Sequence, residues 1–211
     1  VERPVAIKEL KPGLPNFNEY SERFVREAKI AANLSHPNLV TIHDFGVSEG
    51  ILYLVMEYLQ GQSLTQVMAE GMDEVRVLSV FRKIAEALAV VHSKGLVHRD
   101  LKPDNVVFRD KDNIEPVLTD FGIARSIDNS LELTQTECIV GTPIYMSPEQ
   151  ALCQSVQPCS DLYSFGFMLY EALFGKRPYS VALTRGGFEE RKRKLKIPAD
   201  KKNYQQLFDK L

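Results

Sequence analysis

Cysteine is scarce in this sequence, with Cys138, Cys153 and Cys159 the only three among 211 residues. The odd number and the lack of a Cys-x-x-Cys pair argue against a disulfide framework and a thiolate metal site, and fit reduced thiols in a cytosolic protein. No run of 18 consecutive apolar residues occurs, and the opening Val1-Glu2-Arg3-Pro4 lacks a signal-peptide layout, so the segment reads as soluble as it stands. Excess charge of one sign is also missing: 26 Lys and Arg oppose 28 Asp and Glu, a formal net charge of -2. Such a chain has no global field to recruit nucleic acid or an acidic membrane, and any partner is recognised at local sites. Internal repeats, low-complexity tracts and a Gly-x-Gly-x-x-Gly motif are absent as well.

What is present suits one substantial core: 44% of residues are hydrophobic and 26% charged. Pro4 to Leu10 is a short β-prone run, ended by the turn-rich Lys11-Pro12-Gly13-Leu14-Pro15-Asn16. From Tyr20 to Leu34, Phe24, Val25, Ala28, Ala31 and Ala32 recur at helical spacing, which predicts an amphipathic helix stopped by Ser35-His36-Pro37-Asn38. Leu39 to Phe45 and Ile51 to Leu59 read as strands joined by Gly46 to Gly50. Beyond Gly61 the pattern turns helical, over Ser63 to Ala69, Val75 to His92 and the strongly apolar Ser160 to Gly175. Between them, Asp120 to Glu149 has little periodicity, and so long a connection in a compact domain is usually functional.

Chemistry-bearing residues cluster in the second half. The block His98-Arg99-Asp100-Leu101-Lys102-Pro103-Asp104-Asn105 is followed by Asp120-Phe121-Gly122, then by Gly141-Thr142-Pro143-Ile144-Tyr145 and Ser147-Pro148-Glu149. Carboxylates and a carboxamide in this order suit phosphoryl transfer, which needs metal ions on the phosphates and an aligned hydroxyl whose proton has an acceptor. Upstream, Val5-Ala6-Ile7-Lys8 precedes a helix carrying Glu27, with Glu22 as the alternative partner for Lys8.

These motifs closely resemble the catalytic domain of eukaryotic-type serine/threonine protein kinases, in a bacterial-like subgroup. The resemblance implies an α+β bilobal fold: a small antiparallel β-sheet N-lobe with one key helix and a larger, mainly helical C-lobe. Residues 1–58 would form an incomplete N-lobe, and residues 59–211 a C-lobe lacking its last helices. Implied cofactors are ATP and Mg²⁺. Asp100 would orient the acceptor hydroxyl and take its proton, Lys102 would place positive charge at the transferring phosphate, and Asn105 and Asp120 would hold the metal. Thr142 would brace Asp100 and Lys102. Lys8, held by Glu27, would grip the α- and β-phosphates. Met56 would back the adenine pocket, the backbone of Glu57 and Leu59 would bond its edge, and Ala6 and Val107 would sandwich the ring.

Thr134 and Thr136 resemble loop threonines that such kinases autophosphorylate, and Arg99 stands where a phosphothreonine would pair with a guanidinium. Asp161 matches an aspartate that opens a buried helix and bonds the catalytic-loop backbone. The implied partners are proteins with Ser or Thr acceptors and a second copy of the chain for autophosphorylation, with no nucleic acid and no membrane contact within this segment. The implied location is the cytoplasm, including that of the cytosolic part of a membrane-anchored kinase. Two departures stand out: the family's glycine-rich phosphate loop is absent, and Glu149 lacks its usual arginine partner, as in a domain truncated at both ends. The missing loop sets up the alternative of a noncatalytic pseudokinase-like scaffold or inactive fragment, and leaves the Lys8 strand as a sheet edge. A small-molecule kinase fits less well, because its catalytic loop carries neither Lys102-Pro103 nor the Gly141 to Glu149 segment.

Overall fold

The computed structural model describes residues 3–10, 17–121, 144–178 and 197–209. Thr134, Thr136 and Thr142 lie outside these residues, as do Gly122 and the basic run Arg191 to Lys196.

The first part is a three-stranded antiparallel sheet of β1 (Val5–Leu10), β2 (Ile42–Ser48) and β3 (Ile51–Glu57), ordered β1-β3-β2. Along β3 burial alternates strictly, with Leu52, Leu54 and Met56 inward, as the two-residue repeat of a strand requires. These side chains meet α1 (Phe17–Ala32), whose Tyr20, Phe24, Ala28 and Ala31 are buried at three- and four-residue spacing. Each large apolar side chain enclosed this way contributes roughly 1.5–3 kcal/mol. Strand β1 is the sheet edge among the described residues, with Ile7 62% exposed.

The helical part is built on α2 (Leu64–Glu70), α3 (Glu74–Ser93) and a later buried helix, Pro158–Phe174. Ser63 and Gln66 cap α2 reciprocally, and Asp73 Oδ1 accepts the Arg76 N–H at 2.8 Å to start α3. Val77, Phe81, Ile84, Leu88 and Val91 of α3 are buried, as are Phe165 and Leu169 of the later helix, and the Phe81 and Phe165 rings meet edge to face at 5.4 Å. A two-stranded ribbon, β4 (Val106–Phe108) with β5 (Pro116–Leu118), lies against the sheet part. The Val40 N–H donates to the Leu118 carbonyl at 3.0 Å, and the Leu118 N–H donates to the Asn38 carbonyl at 2.9 Å. Gly61 makes a close approach here: a Cβ at this position would lie 2.2 Å from the Asp110 carbonyl oxygen.

The four-residue helix α4 (Pro148–Ala151) precedes the buried helix, α5 (Pro158–Phe174), and α6 (Gln205–Phe208) comes last. The small antiparallel sheet with one helix, joined to a larger helical part, is the α+β architecture expected from the sequence. Several local readings shift. Helix α1 begins at Phe17 rather than Tyr20, and β2 begins at Ile42 rather than Leu39 because Leu39 and Val40 engage Leu118 instead. Strands β4 and β5, three residues each, are too short to show a period. The reduced-thiol reading holds for Cys159, which is free, and not for Cys153, which is disulfide-bonded. No helix among the described residues is long and apolar enough to cross a membrane.

Candidate active site

The segment 98–105 threads between α3 and β4, anchored from below by Asp161 at the first turn of α5. The Asp161 carboxylate accepts the His98 N–H at 2.8 Å and the Arg99 N–H at 2.9 Å, while His92 Nε2 bonds Oδ2 at 2.8 Å. Burial pushes the Asp161 pKa up, but these hydrogen bonds and the nearby histidines outweigh it and leave the carboxyl below its ordinary range. His92, which sequence spacing gave no role, is thus a partner of this aspartate, reaching it from the last turn of α3.

His98 is fully buried beside Phe121, with ring centroids 5.4 Å apart. Its Nδ1 faces the Asp100 N–H at 3.4 Å and its Nε2 faces the Thr119 carbonyl at 2.8 Å. One nitrogen accepts and the other donates, which is the neutral imidazole with its proton on Nε2. Burial pushes its pKa below 6.5. A histidine held neutral in the fold binds fewer protons than it does unfolded, so its contribution to stability is complete above about pH 6.5 and shrinks as pH falls below that value. The thermal unfolding midpoint is therefore expected to decline between pH 6.5 and 5, and His98→Gln should flatten that decline; an unchanged slope in the variant would contradict the assignment.

Three predicted catalytic side chains come together at one oxygen. Asp100 Oδ2 accepts from Lys102 Nζ at 3.1 Å and from Asn105 Nδ2 at 2.9 Å. The same Asn105 amide donates to the Asp100 carbonyl at 2.7 Å, which leaves its Oδ1 as the atom available to a cation. Asn105 is positioned in turn by its own carbonyl, which accepts the Thr119 N–H at 2.8 Å. That contact ties it to the residue before Asp120. Asp120 itself has a left-handed φ of 54°, a conformation that persists only where neighbours enforce it.

Lys8 and Glu27 are not paired with each other. Lys8 Nζ bonds Asp120 Oδ1 at 2.7 Å, and Glu27 Oε1 lies 3.4 Å from Arg99 Nη1. The sequence pairing of Lys8 with Glu27 is corrected to this extent: Asp120 competes for the ammonium, and the guanidinium of Arg99 takes the glutamate. With side chains 39% and 37% exposed, the Lys8–Asp120 pair is solvated and cheap to exchange. A carboxylate and a carboxamide oxygen form a hard donor set that suits Mg²⁺ completed by phosphate and water.

The expected adenine residues line one side of the sheet and the ribbon. Ala6 pairs with Met56 in the β1–β3 register, and Met56 is buried while Ala6 is partly so. The Glu57 N–H donates to the Thr41 carbonyl at 2.9 Å, so a backbone bond from Glu57 to a ligand would come from its carbonyl. The Glu57 side chain pairs with Arg109, which also donates to the Pro37 carbonyl at 2.7 Å. Leu59 is partly buried against the core, and Val107 is partly exposed on β4 opposite Val117. Glu149, expected to lack its usual arginine partner, accepts a hydrogen bond from Ser160.

Comparison with known proteins identifies the family. A family model described as protein kinase domain matches residues 1–208, and the chain belongs to that family. It is 41% identical over 203 residues to serine/threonine-protein kinase pkn2 of Myxococcus xanthus, covering 94% of this chain and 24% of that protein. To PknA of Mycobacterium tuberculosis it is 41% identical over 185 residues, covering 84% and 42%. To PrkC of Bacillus subtilis it is 40% identical over 181 residues, covering 85% and 28%. The chain thus spans less than half the length of these relatives. Among solved structures, the Mycobacterium tuberculosis PknI kinase domain superposes with a TM-score of 0.65 at 31% identity, over 85% of this chain and 67% of that one. Rad53 residues 1–466 in complex with AMP-PNP gives 0.68 at 27% identity, over 89% and 45%.

Proposed function

We propose that this domain transfers the γ-phosphoryl group of ATP to Ser and Thr hydroxyls of proteins, including its own chain. The observation that carries the reading is the convergence of Lys102 and Asn105 on Asp100 Oδ2, at 3.1 and 2.9 Å. Asp100 is the group that orients the acceptor hydroxyl. As the hydroxyl oxygen bonds to the γ-phosphorus, the bond to the β-bridging oxygen breaks, ADP leaves, and the hydroxyl proton passes to the Asp100 carboxylate. Lys102 adds positive charge beside the transferring group, where negative charge develops.

Asn105 Oδ1 and the Asp120 carboxylate are the atoms that would hold Mg²⁺, which neutralises phosphate charge when bound. Lys8 then exchanges Asp120 for the α- and β-phosphates, and Glu27 is released from Arg99 to hold it. Met56, Ala6, Val107, Leu59 and the Glu57 carbonyl make the adenine pocket. Thr142 braces Asp100 and Lys102, and Thr134 and Thr136 are the modification sites, with Arg99 as the guanidinium that receives a loop phosphate. The setting is cytosolic, and nothing in the comparisons favours the noncatalytic alternative.

Intact-mass measurement after incubation with ATP and Mg²⁺ tests this reading. Phosphate should be gained and should map to Thr134 or Thr136. No gain on the chain, together with no transfer to an added Ser- and Thr-containing acceptor protein, would overturn it.

A further inference from the structure

We propose that Gln150 is a positioning residue for this reaction: its side-chain amide holds the Arg99 carbonyl and thereby sets the direction of the Asp100 carboxylate. The proposal rests on the reading of Asp100 as the proton acceptor.

Arg99 has a φ of 66°, in the left-handed region that a residue with a Cβ occupies only when its surroundings enforce it. Two grips enforce it here. The Arg99 N–H donates to Asp161 Oδ1 at 2.9 Å, and the Arg99 carbonyl accepts from Gln150 Nε2 at 2.6 Å. That carbonyl belongs to the peptide plane joining Arg99 to Asp100. Fixing the plane fixes ψ of Arg99 and φ of Asp100, and so the direction in which the Asp100 side chain leaves the backbone. Asp161 alone holds only the two preceding peptides.

The other end of Gln150 settles which way its amide faces. Gln150 Oε1 accepts the Ser147 N–H at 3.0 Å, while Ser147 Oγ accepts the Gln150 N–H at 3.4 Å, a reciprocal capping box at the start of α4. With the oxygen committed to Ser147, the NH₂ group points at Arg99. The cap does not itself require glutamine, because glutamate accepts equally well at this position. Only the bond to Arg99 requires a donor, which explains the residue type.

The platform is rigid. Ser164 Oγ donates to the Tyr145 carbonyl at 2.7 Å, the Tyr145 hydroxyl donates to Glu171 Oε2 at 2.7 Å, and Ser160 bonds Glu149. Each of these contacts fastens 145–149 to α5, the helix that also presents Asp161. Both grips on Arg99 therefore come from one body, and a small displacement of α4 is passed directly to the peptide before Asp100.

Two variants of the chain separate positioning from capping. Gln150→Glu keeps the acceptor and the cap but loses the donor, whereas Gln150→Met keeps the shape and loses both. Both are expected to lower kcat on the order of ten- to a hundredfold, as a small misplacement of a reacting group does, with KM for ATP unchanged. Amide hydrogen exchange over 98–102, which needs no turnover, should speed up in both. A residue that only caps α4 would instead give full turnover in Gln150→Glu. Wild-type kcat in Gln150→Met, with loss in Gln150→Glu alone, would assign the effect to the added charge and overturn the proposal. Unchanged exchange in both variants would overturn it too, even if the wild type transferred no phosphate, a result that would by itself sink the proposed reaction.

Discussion

Replacing Asp100 by asparagine is expected to lower the turnover number on the order of 10²- to 10⁴-fold, the usual contribution of a positioned acid–base group. The structure explains why the loss should fall on chemistry rather than on binding or folding. Asp100 Oδ2 receives the ammonium of Lys102 and the amide of Asn105, and the carboxylate makes these contacts while only partly buried. An asparagine at 100 still offers one oxygen to those two donors, so the local geometry survives, but it has no basic site for the hydroxyl proton. Lys8 and Asp120, assigned to nucleotide and metal, are untouched. Nucleotide affinity measured by titration calorimetry should therefore stay near that of the wild type. A variant that turns over as fast as the wild type would remove Asp100 from the mechanism, and a variant that no longer binds nucleotide would give it a different role.

The largest loss of stability is expected from Asp161→Ala. The carboxylate is 1% exposed and serves three donors: two backbone N–H groups and His92. Truncation leaves all three in a buried setting without an acceptor, which should cost on the order of 3–5 kcal/mol. For a domain of this size that corresponds to a fall of about 10 °C in the unfolding midpoint. Activity should fall as well, because one of the two grips on Arg99 is lost. Asp161→Asn retains one accepting oxygen and should lie between the wild type and the alanine variant. Circular dichroism melts of the three proteins check the order, and an alanine variant that melts with the wild type would show that the loop is held by other means.

The motifs around Asp100, Asn105 and Asp120 were enough to read the family, through their resemblance to protein kinases, and the family model matches residues 1–208. The apolar spacing of Phe24, Ala28 and Ala31 likewise marked the buried face of α1, whereas the strand reading of Ile51 to Leu59 left open which side of β3 turns inward. What spacing cannot supply is a choice among partners that become neighbours only in three dimensions. Lys8 has two carboxylates within its range of motifs, and the fold gives it Asp120 while giving Glu27 to Arg99. His92 carries no ligand spacing, yet the crossing of α3 over α5 brings it to Asp161. Gln150, next after Ser147-Pro148-Glu149, drew no notice in the sequence, since its hydrogen bond is to the carbonyl of a residue far away along the chain.

The ion pair between Lys8 and Asp120 also bears on how the two ligands of the site relate. In the proposed reading, a nucleotide needs Lys8 and a metal ion needs Asp120, and each finds its residue already engaged by the other's. Either ligand alone must separate the pair, but once one has done so the second meets a residue already released. The separation is charged to the site once rather than twice, so each ligand tightens the binding of the other by the same factor, as linkage requires. Because the pair is solvated and worth at most about 1 kcal/mol, this mutual preference amounts to no more than about fivefold.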